Sequence, residues 1–268
     1  MYAVQIQGGI IMKNHTNEGY NQTNTETQLI NRHSIPLTIL LHLLPGLLIT
    51  IAFILLGPWL KQNHFPPLLA LLIPILFILI PFELGVILYQ GYRKNGRISL
   101  DGIVLYREPI STRDYLIFVP FLSIWSIVFF LSLRGFDQLI INNFFGWLPD
   151  WFQYNQFNPS DYSQPVLTAT FILFLVLNGI AGPVVEELYF RGYLLPRIEY
   201  LKGWAPFVNV LLFSLYHFFS PWQNITRIIA FYPMPFFVRR KKNVYLSMLA
   251  HCILNTGGCL MSFRLFFL

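Results

Sequence analysis

The chain has 268 residues, of which 55% are hydrophobic and 11% are charged, whereas soluble domains carry about 25% charged residues. This composition and the mean hydropathy of +0.54 exclude a water-soluble globular domain and predict an integral membrane protein. The net charge of +6 does not indicate a nucleic-acid partner, because the lysines and arginines lie between the apolar runs and not together on one face.

The first 34 residues are polar and rich in Asn and Thr, and we expect a disordered cytosolic tail there. No apolar stretch behind a basic start occurs in this segment, so a cleaved signal peptide is not expected. Residues 35–268 are predicted to form one transmembrane domain. Its two cysteines, Cys252 and Cys259, are too few for a disulfide framework and form no CxxC pair.

Seven apolar runs predict transmembrane helices, since a span needs about 20 apolar residues. They are Ile35–Leu60, Pro66–Gln90, Tyr115–Leu133, Val166–Tyr200, Gly203–Phe219, Trp222–Val238 and Val244–Phe263. The fourth run is too long for one straight crossing, and Gly182-Pro183 is expected to kink or divide it. The predicted fold class is therefore all-α, a polytopic transmembrane bundle of about seven spans, with six or eight as the alternatives.

The distribution of the 18 lysines and arginines predicts the orientation of the bundle. With the N-terminus inside, 14 of them fall in inner segments, and the other four are Lys61, Arg134, Arg227 and Arg264. One of the 14, Arg191, lies within a span, which leaves an excess of 13 to 4. This bias predicts a cytosolic N-terminus.

The C-terminal third carries polar residues inside its apolar segments, and an ionisable residue in a span is by default a functional candidate. Glu187 and Arg191 are four residues apart on one helix face, so we expect an ion pair. Glu186 points about 100° away from Glu187 and can face a cavity. The alternative is a helix end at the membrane interface, with both carboxylates solvated.

The next two spans each carry a further polar group. His217 follows Phe213 by four residues, and His251 and Asn255 share a face of the last span. For each group taken alone, the alternative to a functional role is packing for His217 and interhelical hydrogen bonding for His251 and Asn255. Counted from the inner helix ends, Glu186, His217 and Asn255 lie roughly 20 Å deep and His251 roughly 14 Å deep. These depths predict that the four side chains converge in one cavity open to the cytosol.

The order EExxxR, FxxxH and HxxxN in successive hydrophobic segments resembles the CAAX prenyl protease and bacteriocin-processing (Abi) family of intramembrane endopeptidases. The resemblance covers residues 166–258, and no motif residue departs from the pattern. It implies that Glu186 and His217 activate the attacking water, and that His251 and Asn255 stabilise the tetrahedral oxyanion. The residues implied to support them are Phe213, Glu187 and Arg191.

The residue types suit peptide hydrolysis, which needs a base for water and donors for the developing oxyanion. A zinc site is the chemical alternative, because Glu186, His217 and His251 are the ligand types of a three-ligand catalytic zinc. HExxH is absent, and we expect no cofactor. The expected partners are the lipid bilayer and a membrane-associated peptide or protein substrate, lipidated or not.

Two other functional classes remain open for this sequence. A non-catalytic immunity or binding protein of the same fold would keep the Glu187–Arg191 pair without poising Glu186 and His217 around water. A transporter would show ionisable residues in both halves and an inverted repeat, and neither is evident. Glu83 lies in the second span and has no assigned role.

Overall fold

The computed structural model describes residues 32–154 and 156–267, and the predicted tail up to residue 31 lies outside them. Every regular element in these ranges is a helix, which confirms the all-α prediction. The helices are α1 (Ile35–Gln62), α2 (Leu69–Asn95), α3 (Thr112–Ser132), α4 (Arg134–Ile140), α5 (Gln164–Arg197), α6 (Ala205–Leu215), α7 (Asn224–Phe231), α8 (Pro233–Lys241), α9 (Tyr245–Met261) and α10 (Phe263–Phe267). Short 3₁₀ turns occur at Asp150–Phe152, Pro159–Asp161, Glu199–Trp204 and Pro221–Gln223.

Among the described residues, four helices are long and apolar enough to cross a membrane: α1, α2, α3 and α5. The later predicted spans contain shorter helices, of 11 residues in α6, eight in α7, nine in α8 and 17 in α9. The predicted helix over Gly203–Phe219 ends at Leu215. The chain then turns before Pro221, which has no backbone N–H to donate within a helix.

Helix α5 runs unbroken from Gln164 to Arg197, so the predicted run is not divided at Gly182-Pro183. It accommodates Pro183 through two π-helical segments, Phe174–Ala181 and Glu187–Leu194, on either side of the α-helical turn Gly182–Glu186. Proline cannot donate a hydrogen bond to the preceding turn. Side chains of α9 donate to the carbonyls of that turn instead, so the irregular part of α5 is joined directly to α9.

One end of the bundle contains the start of α1, the α2–α3 loop, the end of α5 and the end of α8. The His33 N–H donates to the Arg197 carbonyl at 3.1 Å, and the Glu108 N–H donates to the Lys242 carbonyl at 2.9 Å. These are the segments in which the charge pattern placed the excess of lysine and arginine. His33 is buried at this end of the bundle.

Candidate active site

Glu186 ends the short α-helical turn between the two π-helical segments of α5. Its side chain is buried, and its Oε1 accepts a hydrogen bond of 2.8 Å from the Tyr216 hydroxyl. In the described part of the chain no arginine or lysine lies within 4.0 Å of this carboxylate, as predicted from its angular offset on the helix. The Tyr216 donor was not predicted.

His217 lies on the turn that follows α6. Its Nδ1 is 2.8 Å from the Phe213 carbonyl oxygen, and because a carbonyl only accepts, Nδ1 is the protonated nitrogen. In the neutral imidazole the unprotonated nitrogen is then Nε2, which faces Glu186, 4.0 Å from Oε1. This distance is too long for a direct hydrogen bond and short enough for one water molecule to contact both groups.

Glu187 and Arg191 form the predicted ion pair, with 3.4 Å between Oε1 and Nη1 and both side chains fully buried. The other oxygen of Glu187 accepts from the Ser247 hydroxyl at 2.5 Å, and Oε1 lies 3.0 Å from His251 Nδ1. The carboxylate thus connects α5 to α9 as well as pairing with Arg191. Glu187 therefore fixes the position of the His251 ring, in addition to forming the ion pair with Arg191 that was predicted to support the site.

His251 lies between the two glutamates. An ionised carboxylate only accepts hydrogen bonds, so the contact with Glu187 places a proton on Nδ1. The Nε2 atom is 3.9 Å from Glu186 Oε2 and points toward the space around that carboxylate. Donation from Nε2 to an oxyanion therefore requires the doubly protonated imidazolium form of His251.

Asn255 lies one helical turn after His251 on α9. Its Nδ2 donates to the Asn178 carbonyl of α5 at 3.0 Å, which is the interhelical bond considered as the alternative to an active-site role. A side-chain amide has two N–H hydrogens, so one hydrogen remains beyond this bond. Asn255 can therefore join α9 to α5 with one N–H and donate the other to an oxyanion.

Aromatic rings hold these groups in place. The Phe213 ring lies 3.8 Å from the Arg191 guanidinium carbon, in cation–π geometry, and contacts the His217 ring edge-to-face at 5.0 Å between centroids. The Phe231 ring of α7 lies 4.8 Å from that of His251. Phe213 therefore supports both the ion pair and His217, consistent with its place in the motif.

The four predicted site residues converge on one cavity of about 200 Å³, which confirms the convergence inferred from their helix positions. The residues lining it that matter most here are Glu186, His217, His251, Asn255, Tyr216 and Arg227. Sequence reasoning missed the last two. The signal for Tyr216 was its place next to His217 in the motif, whereas Arg227 had been counted only as an outer charge.

Two further observations concern Glu83 and the residue types that bind metal ions. Glu83, to which no role was assigned, is buried in α2, and neither carboxylate oxygen has a hydrogen-bond partner within the described ranges. Across those same ranges, no group of three or more His, Cys, Asp or Glu side chains is arranged to hold a metal ion.

The fold and the site together define a class: an integral membrane protein built of helices, with carboxylate and imidazole groups facing an interior cavity. Residues 168–257 match the family model described as type II CAAX prenyl endopeptidase, Rce1-like. This segment contains all three motifs. Over this segment the chain is similar to CAAX prenyl endopeptidases, a family of peptidases, and the match supports the resemblance seen in the sequence. No curated protein and no solved structure matches the chain.

Proposed function

We propose that this protein is a glutamate-dependent intramembrane endopeptidase acting on membrane-associated peptides, of which lipid-modified peptides are the first class to test. The observation that carries the proposal is the facing pair of Glu186 Oε1 and His217 Nε2, 4.0 Å apart in the wall of the cavity. A water molecule between them has one carboxylate and one imidazole lone pair as proton acceptors.

In the proposed reaction, Glu186 takes a proton from this water while the water oxygen bonds to the carbonyl carbon of the scissile peptide. The resulting oxyanion accepts hydrogen bonds from the remaining Asn255 N–H and from the imidazolium Nε2–H of His251. The carboxylic acid of Glu186 then protonates the leaving nitrogen, and the C–N bond breaks. The Tyr216 hydroxyl, 2.8 Å from Glu186 Oε1, orients the base.

The decisive test is Glu186→Gln, which keeps the size of the side chain and removes the proton acceptor. We expect the hydrolysis of a farnesylated peptide, followed by mass spectrometry of its products, to fall by a factor on the order of 10³ or more. The matched control is Glu108→Gln, which makes the same change at an exposed carboxylate and should keep the wild-type rate. Wild-type turnover by Glu186→Gln would overturn the proposal, whereas tight peptide binding without turnover by the wild-type protein would indicate a binding protein.

The zinc-dependent alternative assigns Glu186, His217 and His251 as metal ligands. Under the glutamate mechanism, a strong chelator leaves the rate unchanged, and Asn255→Ala lowers turnover by a factor on the order of 10²–10³ through loss of one oxyanion donor. If chelation abolishes cleavage and added zinc restores it, these three residues must be reassigned as ligands.

A further inference from the structure

The end of α8 carries a run of cations that its neighbouring carboxylates only partly neutralise. The four consecutive cations are Arg239, Arg240, Lys241 and Lys242. Glu199 pairs with Arg239 Nε at 2.8 Å and with Lys242 Nζ at 3.1 Å. Asp114 pairs with Lys241 Nζ at 2.7 Å. Four cations against two carboxylates leave an excess of positive charge at this point of the surface.

Arg240 and the outer edge of Arg239 keep donors that the protein does not use. The Arg240 side chain is exposed, and within the described residues no carboxylate lies within 4.0 Å of it. Arg239 bonds to Glu199 through Nε, and its terminal nitrogens form no hydrogen bond within those same residues. The Glu199 bond fixes the direction of the guanidinium and leaves its outer nitrogens for another acceptor. Phosphate oxygens suit such a fork, because it can donate two parallel hydrogen bonds to them.

A recess of about 240 Å³ lies beside these two arginines, and its lining is part charged and part apolar. It is lined by Phe236, Arg239 and Arg240. Phe236 and Arg240 are four residues apart and so share a face of α8, with the ring about 6 Å further from the basic end of the helix. The Phe236 side chain is 42% exposed. The recess therefore presents guanidinium groups at the end of the helix and an aromatic ring one turn below them.

Membrane orientation and helix capping explain the sign of these charges but not the recess. An excess of lysine and arginine is expected at an end that faces the cytosol, and cations stabilise the C-terminus of a helix. Neither effect requires unused guanidinium donors beside an exposed aromatic ring. That combination matches the boundary of a bilayer, where a phosphate headgroup lies directly above an acyl chain.

A second exposed aromatic side chain places the end of α8 at the depth of the lipid headgroups. Trp204 is 70% exposed and ends the 3₁₀ turn that begins at Glu199, the residue paired with Arg239. Tryptophan is enriched at the boundary between membrane and water. The pairing of Glu199 with Arg239 therefore holds the recess close to that boundary.

We propose that the recess formed by Arg239, Arg240 and Phe236 binds the headgroup of an anionic phospholipid, with the upper part of an acyl chain against the Phe236 ring. A lipid is the occupant, and not free phosphate, because only a lipid presents an anion and an apolar chain one above the other. None of these three residues lines the cavity that contains Glu186. The site is therefore separate from the proposed peptidase chemistry and does not depend on it.

The experiment titrates three probes into the purified protein in a neutral detergent, with bound mass read by native mass spectrometry and stability by thermal unfolding. The probes are dioctanoyl-phosphatidylglycerol, dioctanoyl-phosphatidylcholine and glycerol phosphate, which carries the anion without acyl chains. We expect phosphatidylglycerol to bind about 10-fold more tightly than phosphatidylcholine and to raise the unfolding midpoint. Glycerol phosphate should not bind at the same concentrations.

Variants locate the bound lipid. Arg240→Gln should weaken the binding of phosphatidylglycerol about fivefold, since one cation near the headgroup is lost. Phe236→Ala should also weaken it while leaving every charge in place, and this variant decides if Arg240→Gln does not fold. The matched control is Arg93→Gln, which makes the same change at an exposed arginine in the last turn of α2, at the same end of the bundle. It should keep the wild-type affinity.

Four results would overturn the inference. Equal affinity for phosphatidylglycerol and phosphatidylcholine would show that no anionic headgroup is selected. Equal weakening by Arg93→Gln and Arg240→Gln would indicate diffuse attraction to the basic end and not a site. Binding of glycerol phosphate as tight as that of phosphatidylglycerol would assign the recess to free phosphate. Unchanged affinity in both Arg240→Gln and Phe236→Ala would place the bound lipid elsewhere on the protein.

Discussion

At the residue scale, the Tyr216 hydroxyl determines how Glu186 faces the cavity. It donates to Oε1 at 2.8 Å, and the same oxygen lies 4.0 Å from His217 Nε2. We expect Tyr216→Phe to lower kcat roughly 10-fold with little change in KM, because one hydrogen bond to a charged group is lost. Tyr189→Phe is the matched control, since its hydroxyl donates to the Leu41 carbonyl at 2.9 Å outside the cavity. Equal kcat for the two variants would contradict an orienting role.

The two adjacent glutamates should differ in their effect on stability. Glu187 contacts Arg191, Ser247 and His251, and the arginine beside it is fully buried. Glu187→Ala leaves that guanidinium without its counter-charge, a loss of about 3–5 kcal/mol in the free energy of unfolding. Glu186→Ala removes only the acceptor of the Tyr216 hydroxyl and should be less destabilising. Thermal unfolding of both variants in detergent tests this order, and equal midpoints would refute it.

At the scale of the helices, α1 contacts the site directly although it carries no motif. A Cβ atom on Gly46 would lie 1.8 Å from the Tyr216 carbonyl oxygen and 2.6 Å from the Tyr216 ring. The backbone of α1 therefore lies against the turn that carries Tyr216 and His217. Close approach of this kind is possible only where a residue has no side chain.

Gly46→Ala should displace α1 or the Tyr216 turn, because the clash is with backbone and cannot be relieved by a rotamer change. We expect a loss of several kcal/mol in the free energy of unfolding together with reduced cleavage. Gly85→Ala is the matched control, since nothing lies within 4 Å of the added atom in α2. That variant should be neutral or more stable by up to about 1 kcal/mol, through higher helix propensity. An unchanged midpoint for Gly46→Ala in thermal unfolding would show that this contact is absent.

The sequence predicts contacts within one helix better than contacts between helices. Helical periodicity alone sets which residues share a face, so the Glu187–Arg191 pair and the separate direction of Glu186 followed from their spacing. The turn after Leu215 and the π-helical segments around Pro183 depend on contacts with α1 and α9, which are remote in sequence. Spacing within one segment carries no signal for contacts of that kind.

At the scale of the whole molecule, the matched family segment accounts for residues 168–257, while the earlier helices complete the cavity. Ile49 of α1 and Leu71, Ile75 and Leu79 of α2 line its wall. Polar groups on α5, the α6–α7 turn and α9 thus face an apolar surface supplied by the N-terminal half. The motifs hold the proposed catalytic groups, and the helices before them supply an apolar part of the cavity wall.

The two ends of the bundle each carry an exposed residue that can be labelled, so the orientation predicted from the charges can be tested. Helix α3 has 21 residues and so spans about 30 Å, which separates the loop before it from α4 and the segment after α4. Arg97 lies in the α2–α3 loop at the basic end, and Asn142 lies just after α4 at the other end. Both are exposed. The excess of lysine and arginine at the first end predicts that it faces the cytosol.

We therefore predict opposite labelling of two single-cysteine variants, Arg97→Cys and Asn142→Cys, each made with Cys252→Ser and Cys259→Ser and expressed in bacterial spheroplasts. A membrane-impermeant maleimide should modify Asn142→Cys in intact spheroplasts and Arg97→Cys only after permeabilisation. The variant with both native cysteines replaced and none introduced controls for background labelling. The reverse pattern would place the basic end outside, and the start of α1 with it, because His33 and Arg197 meet at that same end. Labelling of both positions in intact spheroplasts would mean that the two ends are not separated by the membrane.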